Sequence, residues 1–324
     1  MTLVEKLQGL IILLAVAAGL GLGQLPAVAE SAELFILPFL VLMLLGVFLG
    51  VPLENVTDAF RKRRVTLVSL VFNFVWNPLF AWGLGWLFLS DHPALWVGLI
   101  MLMVTPCTDW YIVFTGIARG NVALSTALLP WNLLLQLILL PVYLYLLAGT
   151  LAPIDLTLLG ESVLVALILP LAAAFGIRRL AVARKGEQWF QDRLLPRVQS
   201  TQILFLGLAI VAMFASKGAE LIGEFGVFLR LLPPILVFFG FNLVLVFVLK
   251  RVFRIEYEDF VALCCTTLAR NSPLALAIAL VVFPDEPLIA LALVIGPLIE
   301  LPILGAVTQL LLRTRSDESS SPRS

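Results

Sequence analysis

The sequence predicts an all-α polytopic membrane protein of about ten transmembrane helices, arranged as two inverted five-helix repeats with discontinuous fourth and ninth helices that cross. Three observations predict it. The chain is overwhelmingly apolar, its basic residues sort into alternate loops, and two proline-broken segments fall at matching places in its two halves.

Hydrophobic residues fill 61% of the 324 positions and charged residues only 13%, with a mean hydropathy of +1.07. A soluble domain carries about 25% charge and roughly 45–50% apolar residues, so lipid is this chain's main solvent. A spanning helix needs about 20 mostly apolar residues. Stretches of that kind cover 8–27, 34–53, 65–89, 94–118 and 121–148, then 158–182, 199–217, 228–252, 259–282 and 287–312. Residues 1–150 are the expected first repeat and 151–312 the inverted second. The charged, Ser-rich stretch 313–324 reads as a disordered cytoplasmic tail. Near the start, Lys6, the apolar run Leu10–Leu20 and Ala27-Val28-Ala29 imitate a secretory signal. Its removal would break the repeat symmetry, so the segment is read as the first helix.

The loops test the count through the positive-inside rule. With the N-terminus in the cytoplasm, Lys6, Arg61, Lys62, Arg63, Arg64, Arg119, Arg178, Arg179, Arg184, Lys185, Arg193, Arg197, Lys250, Arg251, Arg254, Arg313, Arg315 and Arg323 all lie inside. Outside are Lys217 and Arg230, and Arg270 is left within a span. The outer loops carry acids instead: Glu30, Glu33, Asp91, Asp155, Glu220, Glu224, Asp285 and Glu286. One span more or fewer would invert part of this alternation. The expected placement is an inner (plasma) membrane with both ends cytoplasmic. Arg61–Arg64 serves as a topology signal, with anionic lipid a minor extra partner.

Five is odd, so a duplicated five-helix unit must sit inverted relative to its copy. Pro106 and Pro130 share their spacing with Pro273 and Pro297, and both pairs fall in the fourth and fifth helices of their halves. The polar residues collect there too. An ionisable group at membrane depth is costly and marks a functional site; only Asp109, Arg270 and Glu300 lie well inside spans, Glu161 being interfacial. Asp109 belongs to T-P-C-T-D-W (105–110) and Arg270 to A-R-N-S-P (269–273). Proline removes a donor and clashes with the preceding turn, so each segment breaks its helix. Irregular backbone at that depth survives only inside protein or along a wet cavity, and paired broken helices point to a transporter's binding site.

The residues at the breaks carry the chemistry. Asp109 and Arg270 are placed to neutralise one another, which would leave Glu300, in G-P-L-I-E-L-P (296–302), as an unpaired acid able to load and release a coupling proton. The alternative for Glu300 is a carboxylate held by helix-end amides or by Arg270. Cys107 offers a soft sulfur at the first break, and sulfur selects thiophilic species such as trivalent arsenic. Thr108, Asn271 and Ser272 line the breaks, and Asn132 lies in P-W-N near the repeat counterpart of Glu300. Cys264 and Cys265 read as packing residues, since helix neighbours point about 100° apart. Asn73, Asn77 and Gln136 are weaker candidates, because buried amides often bond across helices for packing alone. The tryptophans mostly fall near helix ends and read as interface anchors.

Some function classes are set aside by what is missing. Zero net charge argues against nucleic acid. Three cysteines, two of them adjacent, make no disulfide framework. There is no H-E-x-x-H and no G-x-S-x-G, and the one histidine, His92, sits in a loop, so neither an enzyme nor a cofactor is expected.

The segment T-P-C-T-D-W resembles the P-C-T motif of arsenite-efflux permeases, and A-R-N-S, A-L-A-I-A-L and G-P-L-I-E-L-P-I resemble their ninth and tenth helices. These permeases belong to the bile acid/arsenite/riboflavin transporter superfamily. The resemblance implies a core domain holding the crossed broken helices, a panel domain, and transport that requires the residues found here as Cys107 and Glu300. Asp109-Trp110 and Arg270 depart from the family pattern. Sodium-coupled bile acid relatives carry a Gly-rich segment ending in Ser-Asn at the first break, and an acid with Gln-Asn-Ser at the second. This chain has Thr108-Asp109 and Arg270-Asn271-Ser272, with Thr266 in place of the acid. A sodium ion beside Arg270 would be repelled. The expected function is therefore proton-coupled efflux of arsenite, or of antimonite, with sodium-coupled uptake of an organic anion as the alternative.

Overall fold

The computed structural model describes residues 8–51, 58–108, 110–149, 151, 157, 160–161, 164–223, 226 and 229–320. Helix α1 is Gln8–Leu22 and α2 is Pro26–Leu49. A 3₁₀ turn at Asp58–Lys62 leads into α3 (Arg63–Val71), which runs through a π turn at Phe72–Trp76 into α4 (Asn77–Phe88). Next come α5 (Pro93–Met103), α6 (Trp110–Ile117) and α7 (Val122–Tyr143), the last extended by a π turn at Leu144–Ala148. A π turn at Leu164–Ile168 opens α8 (Leu169–Lys185). Helical turns at Glu187–Trp189 and Phe190–Leu194 lead into α9 (Leu195–Gly223). The chain continues through α10 (Leu232–Phe253), α11 (Tyr257–Leu268), α12 (Ser272–Val282) and α13 (Pro287–Ser320).

Among the described residues there is no strand, and 6 helical runs are long and apolar enough to cross a membrane. Helices α5 and α12 are apolar but have only 11 residues each. At about 1.5 Å per residue neither reaches across a hydrocarbon core of about 30 Å. Prolines open α2, α5 and α12 within the first turn, where a missing N–H costs nothing.

Helix α9 packs along α2 and α1, and α8 packs on α2. Glycine sets the α1–α9 approach: a Cβ on Gly19 or Gly23 would lie 2.6 Å from the carbonyl oxygen of Val211 or Ala215, so only hydrogen fits. Small residues at helix interfaces serve this purpose in lipid, where apolar burial drives no association. A second group packs around α5, which lies against α13 and α4, while α6 packs on α11 and α7, and α10 on α4 and α11. Large apolar side chains such as Leu79, Trp86, Leu87, Val244 and Val252 are exposed on the outside, as a lipid-facing surface requires.

Two expected helix ends are corrected. Helix α1 ends at Leu22 rather than at 27, because Gly23-Gln24-Leu25 turn the chain into Pro26. Helix α13 continues to Ser320 rather than ending at 312, since no glycine or proline lies between Gly305 and Ser320 to stop it. One tryptophan is turned inward. Trp96 is buried with its ring centroid 5.8 Å from that of Trp82.

Candidate functional site

The chain leaves helical geometry between α5 and α6 and again between α11 and α12, and the two breaks meet. Pro106 and Arg270 form an antiparallel bridge. The Cys107 N–H donates to the Ala269 carbonyl at 2.9 Å, and the Asn271 N–H donates to the Thr105 carbonyl at 2.7 Å. Each break thus completes the other's backbone, which is the condition for irregular chain at membrane depth. The Asn271 side chain caps α12 by accepting from the Leu274 N–H at 3.3 Å. The Thr105 hydroxyl donates back to the Met101 carbonyl at 3.1 Å.

Glu300 reaches this junction from α13. It is buried, and its carboxylate accepts the Arg270 main-chain N–H at 2.8 Å. The unpaired acid expected from the sequence is therefore corrected: Glu300 is held by the second break, because α13 packs alongside α12. Asp109, the expected partner of Arg270, lies outside the described residues. The Arg270 guanidinium itself turns to the ends of the broken helices. It donates to the carbonyls of Met103 (2.8 Å), Leu268 (3.3 Å), Thr266 (3.2 Å) and Thr267, and to Asn73 Oδ1 (3.1 Å). The Phe238 ring lies 5.7 Å from it.

A cavity of about 460 Å³ opens beside the junction. Cys107, Thr108, Arg270, Asn271 and Glu300 line one side, and Met43, Val47 of α2 and Gln202 of α9 line the other. It lies between the two helix groups. Asn271 Nδ2 donates to Thr108 Oγ1 at 3.4 Å. Two predicted site residues stand apart from the cavity lining. Asn132 is fully buried and donates to Thr266 Oγ1 at 2.9 Å, and Ser272 is buried with its hydroxyl against Gly296. Cys264 and Cys265 are buried in α11, away from the lining.

Sequence reasoning missed a chain of amides behind the junction. Trp76 Nε1 donates to Asn242 Oδ1 (2.9 Å), Asn242 Nδ2 to Asn77 Oδ1 (2.9 Å), and Asn77 Nδ2 to Asn73 Oδ1 (3.3 Å), the atom that also accepts from Arg270. Asn73 and Asn77 carried a signal in their i, i+4 spacing. Asn242, alone in an apolar helix, carried only its polarity.

A family model described as the sodium bile acid symporter family matches residues 37–224, more than half of the chain. The chain belongs to the sodium bile acid symporter family. It is similar to the arsenical-resistance protein Acr3 of Corynebacterium glutamicum, with 27% identity over 76% of this chain and 69% of that one. It is also similar to an uncharacterized transporter of Synechocystis sp., with 26% identity over 97% and 90% of the two chains. A third relative is the arsenical-resistance protein Acr3 of Alkaliphilus metalliredigens, 22% identical over 93% and 90%. Membership in this family, with the apolar helices, makes the protein a multi-pass membrane transporter of the secondary type rather than an enzyme.

Proposed function

We propose that this family member exports trivalent arsenic, as arsenite or antimonite, in exchange for protons. The observation that carries the reading is that Cys107 and Glu300 line one cavity where two helix breaks meet. Two of the relatives are arsenical-resistance proteins. In this reading the neutral arsenic hydroxide enters from the cytoplasm, and the Cys107 thiol displaces one hydroxyl as water to form a single As–S bond. Water reverses the step on the far side. One such bond is weak enough to release cargo.

Glu300 is the coupling group. As a carboxylate it accepts a charge-assisted bond from the Arg270 amide, and such bonds are roughly twice as strong as neutral ones. Protonation weakens that link between α13 and the second break, so the proton state of Glu300 acts on the junction that holds the cargo. One proton moving inward gains about 2.3 kcal/mol per 100 mV, roughly a 50-fold gradient.

The matched prolines, the sorted charges and the two meeting breaks support an architecture of ten spans in two inverted repeats, 1–150 and 151–312. The broken fourth and ninth helices cross at the site. The same charges support a plasma-membrane location with both ends in the cytoplasm.

A second reading, sodium-coupled uptake of an organic anion, is favoured by cavity size. Its volume of about 460 Å³ falls in the range of about 300–1,000 Å³ used for drug-sized ligands, larger than arsenite needs. Arsenite flux in everted vesicles, with and without sodium, tests both. Uptake into everted vesicles that follows the proton gradient and ignores sodium supports efflux. Sodium-dependent movement of an organic anion, with no arsenite flux, overturns it.

A further inference from the structure

Half-helix C-terminal ends at a transporter's centre present a cluster of unsatisfied carbonyls with a partial negative charge, and such ends coordinate small cations. Here α5 ends at Met103 and α11 at Leu268, and both ends point their carbonyls at one group. The Arg270 guanidinium takes Met103 from the first, Thr266, Thr267 and Leu268 from the second, and Asn73 Oδ1 from α3–α4's π turn. These are four main-chain oxygens and one amide oxygen, the donor set of a hard-cation site. The side chain is 3% exposed.

We infer that Arg270 is a built-in cation: its guanidinium occupies the carbonyl cage at the paired helix ends and neutralises it permanently, so that no soluble cation binds or is needed there. The geometry fits an arginine. Five N–H donors in a fixed fork reach carbonyls of two helices at once, and the charge cannot be lost by deprotonation. A tethered cation cannot cross with the cargo. The crossing is thus charged at all times, and coupling is left to Glu300, which touches the same residue only through its main-chain N–H. This assignment holds whatever solute the cavity carries.

The test replaces the tethered charge by a free one. Purified wild-type protein in detergent, compared in sodium chloride and choline chloride, is expected to melt at the same temperature. A sodium-specific rise would overturn the assignment. Arg270→Ala empties the cage, and low-millimolar guanidinium chloride is expected to raise its melting temperature while choline chloride and urea do not. Equal response to all three in a folded variant would overturn it. Arg270→Lys and Arg270→Met cover the case in which the alanine variant fails to fold. The lysine variant is expected to fold and stay indifferent to sodium, and the neutral methionine variant to be lost from the membrane or stabilised by guanidinium. A methionine variant as stable as wild type without any added cation would overturn it. None of these readouts involves arsenite, so they stand or fall separately from the cargo.

Discussion

The two breaks do opposite jobs with similar backbone. The first, at Thr105–Thr108, supplies acceptors and a soft nucleophile: the carbonyls of Met103 and Thr105 receive bonds, and Cys107 faces the cavity. The second, at Ala269–Asn271, supplies a fixed charge and a donor. Arg270 binds helix-end carbonyls with its side chain and Glu300 with its amide. The pairing is reciprocal in the backbone and asymmetric in the side chains. The proposed efflux cycle rests on this division, with Cys107 exchanging partners while Arg270 keeps its own.

The largest effect expected from breaking this asymmetry is at the first break. Cys107→Ser keeps the shape and a hydroxyl but removes the soft ligand. Arsenite flux in everted vesicles is expected to fall to the level of vesicles lacking the protein, with the melting temperature nearly unchanged. Full activity of the serine variant would take Cys107 out of the cargo site. Moving to Glu300, the Glu300→Gln variant keeps an oxygen to accept from the Arg270 amide and loses the exchangeable proton. It is expected to lose proton-driven accumulation, about 50-fold at 100 mV, while arsenite exchange between the two sides persists. Accumulation that survives in the glutamine variant would move the coupling group elsewhere.

Much of this was legible in the sequence because it was written in side chains. Proline in an apolar run marked both breaks, and charge at membrane depth marked Arg270 and Glu300. What stayed hidden depends on backbone atoms that every residue carries. Among the described residues the partners of Arg270 are mostly main-chain carbonyls, and one of them, Met103, lies far away in the chain, so no spacing rule could point to it. The expected pairing with Asp109 lies outside the described residues, and charge alone could not announce that helix ends offer partial charge without any acidic residue. Asn132, expected near the repeat counterpart of Glu300, stands outside the cavity lining and donates its amide to Thr266, a neighbour that the sequence pattern does not announce.

A smaller effect separates the second break's capping from its charge. Asn271→Ala removes the cap on the Leu274 N–H and the bond to Thr108. The loss of an N-cap costs about 1 kcal/mol, so a lowered melting temperature is expected together with a reduced but measurable arsenite flux. Complete loss of flux at normal stability would instead place Asn271 among the residues that touch cargo.

The smallest effect is expected from the other two thiols, and it sharpens the comparison most cheaply. Cys264 and Cys265 are buried in α11 outside the cavity lining. If cargo selection rests on position rather than on sulfur content, Cys264→Ala and Cys265→Ala should each cost no more than about 1 kcal/mol of stability, the ordinary scale for a single substitution. Arsenite flux should remain within twofold of wild type. The double variant leaves Cys107 as the sole cysteine of the sequence, so a maleimide that labels it can be challenged with arsenite directly. Protection of that one thiol by arsenite, and its absence in Cys107→Ser, ties the cargo to the first break. Labelling that proceeds at the same rate with and without arsenite would separate the thiol from the cargo and return the cavity to the larger organic solute that its volume admits.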